Sequence, residues 1–252
     1  MPTPASLPAD PAAPADLTGQ VALITGASRG LGRHTALRLA RAGMRVALCA
    51  RAEDELRTLA AEIARDGGTA RAFPLDVRDT DRIHAVVAEA LDAFGQLDVL
   101  VNNAGLSWYK PFTEWTREQL DVTLDVNLKG LIHMTHAVLP HLLERRTGYI
   151  INVASDIGRR VIPNMAAYVA AKHGVVGFSG ALLREVKDHG IRVSVLLPGI
   201  IDTYFGGGEE GSRGADWSMR PEAVAALIET LLRLPYPLVA DEVTVHPLGQ
   251  DF

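Results

Sequence analysis

The chain has 252 residues, 48% of them hydrophobic, a formal net charge of −5, a pI near 5.9 and a single cysteine. That length buries one substantial core, so one domain is expected. The mildly acidic balance offers no electrostatic footprint for a phosphate backbone or an anionic bilayer, which argues against nucleic-acid and membrane partners. Cys49, inside the apolar run VALCA, has no partner for an internal disulfide and reads as a buried, inert thiol, which fits a reducing cytoplasm.

No apolar run approaches the roughly 18 residues that a bilayer crossing needs, and no basic segment followed by an apolar one opens the chain, so neither a span nor a secretion signal is expected. Residues 1–17, MPTPASLPADPAAPADL, are rich in Pro and Ala with almost nothing to bury. They are expected to form a disordered or extended tail, leaving 18–252 as a single folded domain.

From Gln20 onward, short β-branched runs alternate with stretches of helical periodicity. VALIT (21–25) precedes a helix over 31–42, which Gly43 ends. RVALCA (45–50) precedes a charged helix over 53–66, and ARAFPLD (70–76) a helix over 80–94. DVLVNNAG (98–105) leads to a long helix over 116–145, and GYIINVAS (148–155) to a helix over 165–188. RVSVLLPG (192–199), a helix over 221–233 and EVTVHP (242–247) complete the series. Apolar strands joined by helices imply a parallel sheet covered on both faces, so the expected class is α/β, a Rossmann-type doubly wound sheet. In such sheets ligands sit beyond the carboxyl ends of the strands, so the residues just after each strand carry the functional signal.

The first strand ends in TGASRGLG. Gly26, Gly30 and Gly32 carry the turn, with Ser28, Arg29 and Leu31 between them, and missing side chains let backbone N–H groups and the helix N-terminus meet a pyrophosphate. The spacing G-x-x-x-G-x-G differs from the common G-x-G-x-x-G, yet its place after the first strand favours a dinucleotide over a plain turn. Proteins that bind NAD commonly place an acid at the end of the second strand, whereas a 2′-phosphate calls for arginine. Here Ala50 stands where the acid would be, beside Arg51, with Arg29 in the glycine loop. NADP(H) is the favoured cofactor and NAD(H) the alternative, in which the two arginines are merely solvated. After the third strand, Asp76 is placed to accept from an adenine amino group and Val77 to pack on the ring. After the fourth, Asn103, Ala104 and Gly105 allow close approach of backbone to cofactor, although the same residues make good turns.

TGASRGLG, NNAG, Asn127 in DVNLKG, Ser155 in NVASDIG, YVAAK (168–172) and PGIIDT (198–203) come in one order at one set of spacings. Over about 18–247 the chain thereby resembles the short-chain dehydrogenase/reductase (SDR) family. The resemblance implies that Tyr168 is the general acid in reduction and the base in oxidation, its pKa lowered in part by Lys172 and further by the cationic oxidised nicotinamide, that Lys172 also holds the nicotinamide ribose, and that Ser155 hydrogen-bonds the substrate oxygen. It implies that Asn127 kinks its helix around a water-mediated proton relay to Lys172. It also implies that Pro198, Gly199, Ile201 and Thr203 orient the nicotinamide. The chemistry is consistent with this: free tyrosine titrates near pH ~10, so proton transfer at neutral pH needs a lowering of roughly 3, or ~4 kcal/mol. Tyr168 and Lys172 are four residues apart and share a helix face among small neighbours.

Three segments, 106–112, 156–165 and the loop after Thr203, are expected to wall the substrate, with Trp108, Tyr109, Ile162, Tyr204 and Phe205 as lining. Arg159 and Arg160 invite a carboxylate, but charges on a loop more often face water, and Asp156 disfavours an anion, so substrate charge stays open. The glycine-rich stretch 206–214 is either a lid or a disordered loop. His133, His136 and His141 share one helix, but His133 and His136 at i, i+3 have no nearby acids or thiols, and no catalytic metal is expected. The long helices resemble those that pair subunits in relatives, implying a homodimer or homotetramer. The ending HPLGQDF departs from the family's short Gly-Gly tail. The expected function is NADP-dependent hydride transfer between a nicotinamide and a carbonyl or secondary alcohol carbon, in the manner of a ketone or 3-oxoacyl reductase. The alternatives are an NAD-linked alcohol dehydrogenase and a dinucleotide-sensing protein without catalysis.

Overall fold

The computed structural model describes residues 13–214 and 216–250. Among the described residues seven strands, β1 (Val21–Thr25), β2 (Arg45–Ala50), β3 (Thr69–Pro74), β4 (Val99–Asn102), β5 (Gly148–Val153), β6 (Ile191–Pro198) and β7 (Glu242–Val245), alternate with seven α-helices. The helices are α1 (Gly30–Arg41), α2 (Glu53–Arg65), α3 (Thr80–Phe94), α4 (Arg117–Leu124), α5 (Gly130–Arg145), α6 (Ala166–Val186) and α7 (Pro221–Leu232). All strand pairs are parallel, in the order β3-β2-β1-β4-β5-β6-β7. The chain therefore reverses direction across the sheet between β1 and β4, and a crevice opens there at the carboxyl edge.

Period-2 alternation decides which helix covers which face. Ala22, Ile24, Val46, Leu48, Val99 and Val101 pack with α1, α2 and α7, while Val21, Leu23, Ala47, Cys49 and Leu100 pack with α3, α5 and α6. Cys49 is buried, and desolvation pushes its thiol well above the usual range, as its inert reading requires. Across the middle of the sheet runs a buried polar chain. The Asn102 amide donates to Thr135 Oγ1 (3.0 Å) and Asn152 Oδ1 (2.9 Å), and the Asn152 amide donates to Ser179 Oγ (2.9 Å). These bonds have no water to replace them, so they fix α5 and α6 against β4 and β5.

The sequence periodicity over 116–145 suggests one helix, but the structure breaks it. Residues Asp125–Lys129 form a π-helical turn between α4 and α5, with Asn127 buried inside it. A π-bulge adds one residue to the turn and so rotates α5 about its axis relative to α4, and such bulges often sit at functional sites. Periodicity does not register a single added residue.

Of the tail expected over 1–17, residues 1–12 lie outside the described residues. Its last residues join the fold: Leu17 is buried in the core, and the Ala15 N–H donates to the Arg233 carbonyl (2.9 Å). Ala166–His189 is long and apolar enough to cross a membrane by length and composition, contrary to the sequence expectation. Half of its most apolar window is buried against the rest of the chain, which is what a helix packed in the core requires.

Candidate active site

The glycine turn after β1 is shaped by contacts that a side chain would destroy. A Cβ on Gly32 would lie 2.2 Å from the Gly26 carbonyl oxygen, and one on Gly26 would lie 2.9 Å from the Ala104 Cα, at a φ of +67°. Asn103 clamps the turn, its amide donating to the carbonyls of Thr25 (3.0 Å) and Gly26 (3.3 Å). The Thr25 hydroxyl accepts from the N–H groups of Asn103 and Ala104. The N-cap of α1, Arg29, makes no side-chain cap, and the first turn carries no acid. Its amides at Gly30, Leu31 and Gly32 are thus open to an anion, with Ser28 at the bend, so the donor set fits a pyrophosphate.

Around this turn the remaining predicted cofactor residues gather at the carboxyl edge. Arg51 is exposed beyond β2 and near enough to Asp76 to help lower its pKa. Asp76 is engaged chiefly by Arg78, whose guanidinium holds the carboxyl below the usual range. Its oxygens already have a partner that sequence alone did not assign. Val77 is buried beneath Gly130, where an added Cβ would lie 2.8 Å from the Val77 side chain. Arg29 lies over the Tyr204 ring, 5.7 Å from its centroid, and Thr203 Cβ would meet a side chain added to Gly30 at 3.3 Å. Pro198 closes β6, and Gly199 and Ile201 come next across the crevice.

Ser155, Tyr168 and Lys172 come together on the far wall. Ser155 lies just past β5 at the carboxyl edge, and α6 carries Tyr168 and Lys172 on its buried face. Ser155 is near enough to Tyr168 to offset part of the effect of burial on its hydroxyl. The Lys172 ammonium donates to the Val153 carbonyl (2.9 Å) and lies 5.5 Å from the Tyr168 ring centroid. Asn127 is consumed by backbone contacts: its amide donates to the carbonyls of Leu106 (2.7 Å) and Thr123 (2.9 Å), and its oxygen accepts from the Leu106 N–H (3.3 Å). It staples the segment after β4 to the π-turn, and that staple is what its side chain does here.

Burial dominates the electrostatics of this pair. Burial pushes the Tyr168 hydroxyl well above its usual range, the negative charge of Asp156 adds to the effect, and Ser155 only partly opposes it. Burial also brings Lys172 itself down to about 7. The i, i+4 spacing places the two groups on one face but says nothing of the desolvation both undergo.

On the substrate side, Phe205 packs on Tyr168 with ring centroids 5.4 Å apart, and Trp108 sits edge-on against Trp115 at 5.9 Å. Tyr109 and Tyr204 are exposed, and Ile162 is partly buried. Arg159 pairs with Glu242 on β7 (2.6 Å) and Arg160 with Asp156, so both loop arginines serve ion pairs within the chain. His141 accepts from the Leu97 N–H (3.1 Å), while His133 and His136 are exposed on α5.

Three features carried no sequence signal. Asp202, fully buried, accepts from the Arg213 N–H (3.2 Å) and the Arg220 guanidinium (2.8 Å), while Arg213 also donates to the Ile201 carbonyl. These bonds pin both ends of the glycine-rich loop. His34, at the start of α1, lies between Glu210 (2.8 Å) and Glu222 (3.4 Å), tying the same loop to α7. The third is the C-terminal segment, in which Gln250 is buried against Asp156.

Comparison with known proteins agrees with this geometry. The short chain dehydrogenase family pattern matches residues 20–210. The chain belongs to the short-chain dehydrogenase/reductase family. It is 39% identical over 188 residues to a 3-oxoacyl-[acyl-carrier-protein] reductase of Synechocystis, covering 74% of this chain and 76% of that one. It is 35% identical over 233 residues to an oxidoreductase of Staphylococcus haemolyticus, covering 92% and 99%. Among solved structures, an alcohol dehydrogenase of Thermococcus sibiricus complexed with 5-hydroxy-NADP matches with a TM-score of 0.88 at 33% identity, over 92% of this chain and 98% of that one. A variant of actinorhodin polyketide ketoreductase with NADPH matches with a TM-score of 0.82 at 34% identity, over the same shares. The protein is an oxidoreductase of this family.

The burial of Lys172 predicts a stability signature. Its folded pKa lies below that of an exposed lysine, so between about pH 7 and pH 10 the unfolded chain binds the extra proton and stability from this group rises with pH. In urea unfolding, the stability of the unaltered protein relative to Lys172→Met is expected to rise with pH, by at most about 1.4 kcal/mol per unit across that window. A flat difference contradicts a desolvated ammonium.

Proposed function

We propose that this SDR is an NADP-dependent ketone or 3-oxoacyl reductase, a single catalytic domain that moves a hydride between the nicotinamide and a carbonyl or secondary alcohol carbon. The observation that carries this reading is the convergence of Ser155, Tyr168 and Lys172 at the carboxyl edge, across the crevice from an uncapped glycine turn. The two relatives with NADP-type ligands and the 3-oxoacyl reductase point the same way.

When bound, the reduced dinucleotide supplies the hydride and the oxidised form brings a positive charge. The amides of Gly30, Leu31 and Gly32 hold its pyrophosphate, Arg51 and Arg29 its 2′-phosphate, and Asn103, Ala104 and Gly105 the backbone side of the crevice. Lys172 holds the nicotinamide ribose, and the segment from Pro198 to Thr203 orients the carboxamide. Ser155 hydrogen-bonds the substrate carbonyl oxygen. Tyr168 gives that oxygen its proton as negative charge gathers there, and takes it back in oxidation. Since the fold raises rather than lowers the Tyr168 pKa, the proton chemistry depends on the cationic charge that ligand and lysine bring.

Phe205, against Tyr168, gives the substrate an apolar approach and supports a ketone with a hydrophobic arm. The exposed side of α6, with Ala170, Gly177 and Ala181, is narrow enough for close helix pairing and supports a homodimer or homotetramer.

Turnover across ketones, aldehydes and 3-oxoacyl thioesters, with NADPH and NADH in parallel, tests the reading. Tyr168→Phe is expected to lose turnover by about 100-fold or more while binding NADPH nearly as tightly, since it removes only the proton donor. Loss of NADPH binding in that variant contradicts the assignment. Arg51→Ala is expected to weaken NADPH by about tenfold or more and NADH hardly at all, as removal of a charge-assisted phosphate contact should. Equal losses show that Arg51 does not touch the 2′-phosphate.

A further inference from the structure

Residues 246–250, the described part of an ending that departs from the family's Gly-Gly tail, fold back across the wall that carries Ser155. The Gln250 side chain is buried and spans two elements of the site. Its amide donates to Asp156 Oδ2 (2.8 Å), and its oxygen accepts from the Ile200 N–H (2.8 Å). Asp156, itself buried, accepts at its other oxygen from the Ser155 hydroxyl (3.0 Å) and the Ile157 N–H (2.8 Å). Arg160 donates to Oδ2 as well, and His246 Nε2 lies 3.3 Å from it. One glutamine thus joins the carboxylate that orients Ser155 to the backbone just after β6.

The fit is built from both sides. A Cβ on Gly199 would lie 2.2 Å from Gln250 Oε1 and 2.8 Å from the His246 ring, so the turn after β6 must lack a side chain for the segment to seat. The Gly199 N–H donates to the Val245 carbonyl (2.8 Å), and the Gly249 N–H donates to the Asp216 carbonyl (2.9 Å). Residues 245–250 therefore also hold the end of the loop that carries Phe205.

We propose that Gln250 is a positioning residue for the reaction, acting through Asp156 to hold the Ser155 hydroxyl at the angle the substrate oxygen requires. The nearest acceptor for the Ser155 proton is the Asp156 carboxylate, with the Pro198 carbonyl farther off at 3.4 Å. Every donor on that carboxylate other than Ser155 weakens its pull on the serine. Gln250 and Arg160 share Oδ2 and so leave Ser155 a partner firm enough to fix its rotamer and weak enough to release the hydroxyl to a carbonyl. Without Gln250 the charge of Asp156 is less compensated, and it is the same charge that opposes ionisation of Tyr168.

The inference rests on Ser155 and Tyr168 being the catalytic pair, so Tyr168→Phe is assayed beside it with NADPH and a substrate found in the panel. Gln250→Ala is expected to lower kcat about tenfold, the kinetic equivalent of one hydrogen bond to a charged group, with KM and the NADPH dissociation constant changed by no more than about twofold. Leu248→Ala, on the same segment but fully exposed, leaves both unchanged. Gln250→Glu separates positioning from packing. Protonated glutamic acid reproduces the donor and acceptor of glutamine, whereas ionised it faces Asp156 as a like charge. Its kcat relative to the unaltered protein should climb as pH falls, while the Gln250→Ala ratio stays flat. Full kcat in Gln250→Ala, or the same flat ratio for both variants, overturns the proposal. Turnover that survives Tyr168→Phe overturns the catalytic assignment instead.

Discussion

A lysine ammonium taken almost wholly out of water governs the catalytic wall. Lys172 is 3% exposed and has the Val153 carbonyl as its hydrogen-bond acceptor. Isolated burial of that charge is costly, and desolvation brings the lysine down to about 7. To hold it there, α6 must sit at a fixed height over β5, and the Asn102–Asn152–Ser179 chain supplies that constraint. Tyr168, one turn earlier on the same face, inherits the position.

The fold alone makes Tyr168 a poorer acid than free tyrosine, because burial and Asp156 both oppose its ionisation. Positive charge entering such a site would act against both effects. The glycine turn, with no side-chain cap at its helix, lies across the crevice, where the proposed dinucleotide would bring such charge. Around them the peripheral elements have one theme: the loop after Thr203 is pinned by Asp202, His34 and the C-terminal segment, three attachments from different parts of the chain.

The parallel α/β architecture was legible because each strand is a short apolar run and each helix is periodic. The glycine turn and the Ser155, Tyr168 and Lys172 set could be picked out by their spacings, and the structure brings the last three together. The hidden features depend on three-dimensional neighbours. The π-turn at Asp125–Lys129 alters helical phase by one residue inside an otherwise regular pattern. Asp76 looks free in sequence until Arg78 folds onto it. Leu17 belongs to the core although its neighbours are Pro, Ala and Asp. Gln250 lies 94 residues from Asp156, and no local pattern links an amide near the chain's end to a carboxylate after β5. The direction of the Tyr168 shift escapes the sequence for a similar reason, since spacing reports which groups are near and not how much water they have lost.

The measurement that tests this account most directly is the ultraviolet titration of Tyr168, taken as the difference in tyrosinate absorbance between the unaltered protein and Tyr168→Phe, with and without saturating NADP+. The account predicts a hydroxyl that ionises above the pKa of free tyrosine, about 10, in the protein alone and well below it with the oxidised dinucleotide. An unchanged titration in the presence of NADP+, or a low pKa already present without it, would contradict the dependence of Tyr168 on charge brought by the ligand.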